Sequence, residues 1–262
     1  MKPKVFRAKP PPRARWEQLN SSQSKVRGFD LSSYQASTVL VVGVGGIGSN
    51  VAWALVRKGL GHALLMDDDV VELPNLTRQR FFKRDVGKNK AIAYGKHLCR
   101  EALFETTILC WPYRFQELLE EGVSLEHCDV IVCGVDNNPT RVAVAKHGLT
   151  HDIPVIHAAV SRDANQLYCA VQEAGNACFG CMFPHALNDD SYPCNLPGII
   201  DVLQVLAGFV VYAVDTILCG RHREWNLRSV FLDGSVPDAC LSIERRADCP
   251  LCSHLKSDGG KE

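Results

Sequence analysis

The residues best suited to chemistry are Gly43-Val44-Gly45-Gly46-Ile47-Gly48, the carboxylate Asp67 beyond them, and Asn75-Leu76-Thr77-Arg78-Gln79 further on. In a strand–turn–helix setting, Gly43 allows the tight turn, Gly45 lets backbone approach a phosphate, and Gly48 lets the helix pack on the strand. Unpaired N–H groups and the helix dipole then favour an anion at the turn. Asp67 falls where a carboxylate accepts hydrogen bonds from a ribose. A glycine-rich turn without a ligand is the plain alternative, but strand, helix and acid together point to a nucleotide. Arg78 and Lys90 flank Phe81-Phe82-Lys83-Arg84-Asp85-Val86-Gly87, where solvated surface charge is the usual fate of such residues.

Two further groups carry metal chemistry. Cys178-Phe-Gly-Cys181 and Cys249-Pro-Leu-Cys252 each put two sulfurs on one turn, and two such turns make a tetrahedral four-sulfur zinc site. With four thiolates the metal keeps no open position, so its role is structural. A redox CxxC would open a helix of a thioredoxin-like unit, and neither pair has that setting. Asp136-Asn137 follows an apolar strand in Cys133-Gly-Val-Asp-Asn-Asn-Pro139. A carboxylate there can hold Mg²⁺ against a triphosphate, or it can cap the next helix; local pattern leaves both open.

These residues need a frame, and the hydrophobic pattern supplies one. It predicts strand 38–42, helix 46–59, strand 62–66, an irregular stretch 68–87, helix 88–101, strand 106–109, helix 115–121, strand 129–133, helix 138–147 and strand 154–159. That alternation is a Rossmann-like, doubly wound, mostly parallel α/β sheet. An antiparallel extension follows, with strand 166–172, a long apolar helix 198–219, and closing strands 228–232 and 241–244. Residues 1–37 read as a polar, Pro-rich N-terminal arm, 38–252 as the main domain, and 253–262 as a polar tail.

The 29 basic and 29 acidic residues cancel, which gives no argument for nucleic acid or an anionic membrane as partner. Residues 1–16 have no apolar core of a signal peptide. Of the twelve cysteines, Cys99, Cys110, Cys128, Cys133, Cys169, Cys219 and Cys240 are scattered, mostly within apolar runs, and read as small buried hydrophobes of a cytoplasmic chain. Helix 198–219 has the length of a membrane span but carries Asp201, Gln204 and Asp215, so burial between subunits of a homodimer is the expectation.

The order of these motifs resembles the ubiquitin-activating-enzyme superfamily, in its short ThiF/MoeB/HesA branch. The resemblance runs over roughly residues 25–252. It rests on Arg27-Gly-Phe-Asp30, the glycine loop, Leu65-Met-Asp67-Asp-Asp69-Val-Val-Glu72-Leu-Pro-Asn75-Leu-Thr-Arg78-Gln79, Asp85-Val-Gly87-Lys-Asn-Lys90, Asp136-Asn137 and both CxxC pairs. It implies that Gly45 and Gly46 lie against ATP and Asp67 holds the ribose. Asn75, Arg78 and Lys90 would contact the triphosphate, Asp136 would serve Mg²⁺, and the four cysteines would be a structural zinc site. Asp69, Gln79 and Asn137 fall in the same matched segments and are counted with the nucleotide site.

The activity so implied is adenylation of the C-terminal Gly-Gly carboxylate of a ubiquitin-like or sulfur-carrier protein, with a conjugating enzyme or sulfurtransferase as downstream partner. Such a family carries a crossover loop, here about 182–197, often with a reactive cysteine. Cys194 lies there in a polar, Pro-broken stretch just before the long helix, whose dipole would lower its pKa while Asp189 and Asp190 oppose. The N-terminal segment lacks the family's usual Arg-Gln pair, leaving Arg13, Arg15 or Arg27 to reach a partner subunit. The glycine turn and Asp67 would equally suit an NAD-dependent oxidoreductase, but no catalytic His or Tyr-x-x-x-Lys stands out. A non-catalytic nucleotide-binding scaffold is the third reading.

Overall fold

Strands buried on both faces need continuous apolar runs. The chain provides them in β2 (Thr38–Val42), β3 (His62–Met66), β4 (Thr107–Trp111), β5 (Val130–Cys133) and β6 (Val155–Val160), which pair in parallel. β7 (Gln166–Gln172), β8 (Leu227–Phe231) and β9 (Ala239–Leu241) continue the sheet antiparallel, and β1 (Lys4–Arg7) closes its other edge. The computed structural model describes residues 1–188 and 198–255. Among them the strand order is β1-β4-β3-β2-β5-β6-β7-β8-β9. The direction of winding reverses between β2 and β5, the switch point where ligands of such sheets bind.

Eight helices are described: α1 (Trp16–Asn20), α2 (Leu31–Ala36), α3 (Gly46–Lys58), α4 (Lys90–Glu101), α5 (Phe115–Glu120), α6 (Asn138–Thr150), α7 (Phe179–Met182) and α8 (Ile200–Leu218). Side chains alternate across a strand, so Val39, Val41 and Leu65 face a core shared with α3, α4 and α8, while Leu40, Val42 and Met66 face α5 and α6. A third, smaller core surrounds the four CxxC cysteines.

Several expectations change. Parts of the N-terminal segment 1–37 pack onto the main domain. β1 pairs with β4, the Ala8 N–H donates to the Thr106 carbonyl at 2.9 Å, and Tyr34 is fully buried in the main core. The expected helix 88–101, α4, starts at Lys90 because Asn89 caps it, accepting from the Ile92 N–H at 3.0 Å. The last strand is Ala239–Leu241 rather than 241–244. Cys99 and Cys219 are only half-buried and Cys240 is exposed, so the scattered cysteines are not all core hydrophobes.

α8 is long and apolar enough to cross a membrane. Its Val202, Leu203, Leu206, Val210 and Val214 are buried against α3 and the sheet. Asp215, the charge that argued against insertion, is ion-paired with Lys58 and with Arg221 (2.8 Å) and accepts the Tyr34 hydroxyl. Ile199, Ile200 and Val205 remain exposed on its outer side. Cys194 and its neighbours 189–197, like residues 256–262, lie outside the described residues.

Candidate nucleotide-binding site

The glycine turn joins β2 to α3, and its glycines are required for different reasons. Gly43 has φ of +86°, open to glycine and strained for other residues. A Cβ on Gly48 would sit 1.9 Å from the Gly43 carbonyl oxygen, so the helix can lie on the strand only without a side chain there. A Cβ on Gly46 would meet Leu203 of α8 at 2.6 Å. A Cβ on Gly45 would meet nothing nearer than the Gln79 amide, at 3.8 Å. Of the four, Gly45 alone faces open space, where backbone can approach a phosphate.

One wall of the cleft comes from the chain after β3. Asp67 accepts from the Val44 N–H at 2.6 Å and from the Asp69 N–H at 3.0 Å, tying the glycine turn to the neighbouring strand. Burial pushes its carboxyl up to about 6, against the opposing charge of Lys90. The Lys90 ammonium pairs with Asp69 at 2.8 Å, and Asn89 donates to the carbonyls of Asp67 and Asp69. Asn75 is buried and its side-chain oxygen accepts from the Glu72 N–H at 2.9 Å, fixing the turn that carries Arg78 and Gln79. That turn is held onto α3 by Arg80, which donates to Asn50 at 2.8 Å and stacks on Trp53 at 3.9 Å. Arg78 donates to the Pro74 carbonyl and has no carboxylate partner among the described residues. Its stem would lie 3.6 Å from a Cβ on Gly198, at the foot of α8. The Gln79 side-chain oxygen is buried with no hydrogen-bond partner.

The other wall is the loop after β5. Asn137, not Asp136, caps α6, accepting from the Thr140 N–H at 2.9 Å. Asp136 is therefore free of the capping role and stands exposed. Beneath it lies Arg141, a residue that pattern reading passed over. Its guanidinium is buried and donates to the main-chain carbonyls of Val135 and Ala158, the latter at 2.7 Å. Burial lowers its pKa, with Asp136 opposing. A cation in the opening turn of a helix runs against the dipole, which was the available signal that Arg141 serves another purpose. Nearby His157 is buried with neither ring nitrogen partnered, and burial holds it well below the usual histidine range.

The four CxxC cysteines are all buried, with their sulfurs within 4.8 Å of one another. Cys178 lies 3.5 Å from Cys249 and 3.8 Å from Cys181, and Cys181 lies 3.5 Å from Cys252. A tetrahedron of sulfurs with bonds of about 2.3 Å has edges of roughly 3.8 Å, so the cluster is compatible with zinc. Burial opposes ionisation of Cys178 and Cys252, yet the N–H groups of Leu251 and Cys252 help draw Cys249 below the ordinary thiol range. The Arg246 N–H also donates to the Cys181 sulfur at 3.3 Å.

A glycine turn at the switch point, an orphaned amide oxygen beside it, two cations and a half-buried acid make a candidate site on a doubly wound α/β protein. The ThiF family profile matches residues 20–251. The chain belongs to that family. It is 32% identical over 222 residues to the zebrafish (Danio rerio) adenylyltransferase and sulfurtransferase MOCS3, covering 82% of this chain and 47% of that protein. It is 29% identical to the SAMP-activating enzyme E1 of Haloferax volcanii, covering 83% and 80%, and 26% identical to the sulfur carrier protein ThiS adenylyltransferase of Escherichia coli, covering 85% and 88%. The chain spans about half the length of the MOCS3 relatives it matches. In fold it is similar to Escherichia coli MccB solved with ATP, with a TM-score of 0.71 at 21% identity over 85% of this chain and 68% of that one.

Proposed function

We propose that this protein uses ATP to adenylate the C-terminal Gly-Gly carboxylate of a ubiquitin-like or sulfur-carrier protein. The observation that carries the reading is the open Gly45 backbone facing Gln79, with Asp67 behind it and Lys90 and Arg78 on the same wall. The named activities of the relatives, adenylyltransferases and an activating enzyme, support it.

In this reading a carboxylate oxygen of the carrier attacks the α-phosphorus of ATP, the bond to the β-phosphate oxygen breaks, and pyrophosphate leaves. Asp67 accepts from the ribose hydroxyls. Arg78 and Lys90 neutralise charge as it gathers on the α-phosphate and the departing pyrophosphate. Lys90 is already held at its post by Asp69, which is exposed and yields it to phosphate easily. Asp136 would hold Mg²⁺, whose part is to screen the triphosphate. No general base is needed, because a C-terminal carboxylate is ionised at neutral pH. The four cysteines would hold a zinc ion that staples the α7 turn to the C-terminal segment.

The reading extends to a homodimer, supported by exposed Ile199, Ile200, Val205 and Leu73, and to Cys194 as acceptor of the activated C-terminus. A stable monomer in sedimentation at micromolar concentration contradicts the first. A carrier–enzyme band that dithiothreitol removes, and that persists in Cys194→Ala, contradicts the second. The reading as a whole is tested by pyrophosphate–ATP exchange: it should require a carrier with a free C-terminus and vanish in Arg78→Ala and Lys90→Ala. Stabilisation by NAD instead of ATP would favour the oxidoreductase.

A further inference from the structure

A second recess lies along α4, away from the glycine turn, with a volume of about 500 Å³. Its rim carries Lys4 of β1, Arg84 and Lys88 of the preceding loop, and Lys96 and Arg100 of α4. Its floor is apolar, made by Phe6, Ile92 and Ala93. Asp85 is the one acid in the lining, and it is already matched: it accepts from the His97 ring at 2.6 Å, from the Phe82 N–H at 3.0 Å and from Lys88 at 3.3 Å. Lys4, Arg84, Lys96 and Arg100 have no carboxylate partner among the described residues. Lys4 and Arg84 instead lean over the rings of Phe6 and Phe82. In a chain whose charges cancel overall, this is a local surplus of positive charge around a hollow.

We infer that this recess is a binding site for a small organic anion, an apolar body bearing phosphate or carboxylate groups. Three features carry the assignment. The volume falls in the range of small-ligand pockets, roughly 300–1,000 Å³. An apolar floor under a charged rim suits a ligand with both kinds of surface, whereas a solvated helix face would need no hollow. The unpaired cations lower the potential of an incoming anion together, and low-dielectric walls strengthen that field. The buried His97–Asp85 pair gives the recess one fixed polar side, since the two side chains hold each other and Asp85 also accepts from the Phe82 N–H.

The site is separate from the nucleotide cleft. Lys96 and Arg100 lie six and ten residues beyond Lys90 on one helix, about 9 and 15 Å along its axis. The assignment does not depend on the adenylation reading, because none of the four unpaired cations belongs to that machinery.

The test uses the intact protein and 8-anilinonaphthalene-1-sulfonate, an apolar body with one anionic group that fluoresces when shielded from water. Titration should show one saturable site that citrate displaces and that weakens as salt rises. Lys96→Glu with Arg100→Glu should weaken the probe roughly tenfold or more, since two attractive charges become repulsive. The neutral pair Lys96→Gln with Arg100→Gln should fall between. Both side chains are exposed, so the variants should keep the wild-type melting temperature and its rise with ATP. Unchanged probe affinity in the charge-reversed protein overturns the proposal. So does displacement by an oligoglutamate peptide but not by citrate, which would make the surface a seat for an acidic protein segment.

Discussion

Replacing Gly45 and Gly48 separately should divide ligand binding from packing within one turn. At Gly45 φ is −81°, outside the left-handed range that favours glycine, and an added Cβ first meets Gln79 at 3.8 Å, an ordinary contact. Gly45 is also the N-cap of α3, where alanine costs about 0.5–1 kcal/mol, offset by a comparable loss of unfolded-state freedom of about 0.4–1 kcal/mol. The net change should stay within about 1 kcal/mol, or roughly 2–4 °C in Tm. At Gly48 the Cβ would stand 1.9 Å from a main-chain oxygen that cannot move without opening the turn. That places Gly48→Ala among the severe substitutions, above about 4 kcal/mol, or roughly 8 °C or more. ATP with Mg²⁺ at a hundred times Kd should stabilise the wild type by about 2.7 kcal/mol, roughly 5–11 °C. In Gly45→Ala the methyl group occupies the path by which phosphate reaches the backbone, so that shift should largely vanish from a protein of near-normal stability. Differential scanning fluorimetry reads all of these states. A Gly45→Ala protein with the full ATP shift, or one as unstable as Gly48→Ala, refutes the assignment of the open face.

Purified protein should contain about one zinc per chain, and Cys178→Ser or Cys249→Ser should lower Tm sharply without selectively slowing pyrophosphate exchange; a metal-free, fully stable preparation contradicts this. Asp67 is raised to about 6 by burial, so the folded state holds its proton more tightly than the unfolded chain, and this group's contribution to stability declines as pH rises from about 4 through 6. Ribose hydroxyls donate to the carboxylate, so ATP affinity should weaken as pH falls below about 6, by at most about tenfold per pH unit, and the difference should disappear in Asp67→Asn, measured by calorimetry. Arg141→Met should raise the Mg²⁺ concentration needed for half-maximal exchange roughly tenfold, the usual cost of loosening a ligand's support, with Arg141→Lys between. If only Tm falls and the Mg²⁺ requirement is unchanged, Arg141 is structural.

What could be read from the sequence follows from range. β2, β3, β5 and β6 are buried on both faces, so their composition announces them locally. The CxxC pairs are equally legible, because each turn carries two sulfurs and tetrahedral geometry requires two turns. β1 was not legible: Lys4-Val-Phe-Arg7 is a four-residue edge strand that exists through pairing with β4, a contact distant in sequence. The choice between Asp136 and Asn137 as helix cap lies beyond pattern, since both residue types cap well and backbone direction decides. The exposure of Cys240 reflects its place on the edge strand β9. The His97–Asp85 pair and the recess beside it depend on how the irregular loop before Lys90 folds back on α4, which no periodicity encodes.

The central claim concerns one covalent event on a carrier's last residue. Incubating the enzyme with ATP, Mg²⁺ and a Gly-Gly-ending carrier protein from the same genome, then quenching in acid, allows the intact mass of the carrier to be measured. The account predicts a carrier heavier by AMP less one water, with Lys90→Ala leaving it unmodified. ATP binding with every such carrier unchanged in mass and no pyrophosphate released would contradict it.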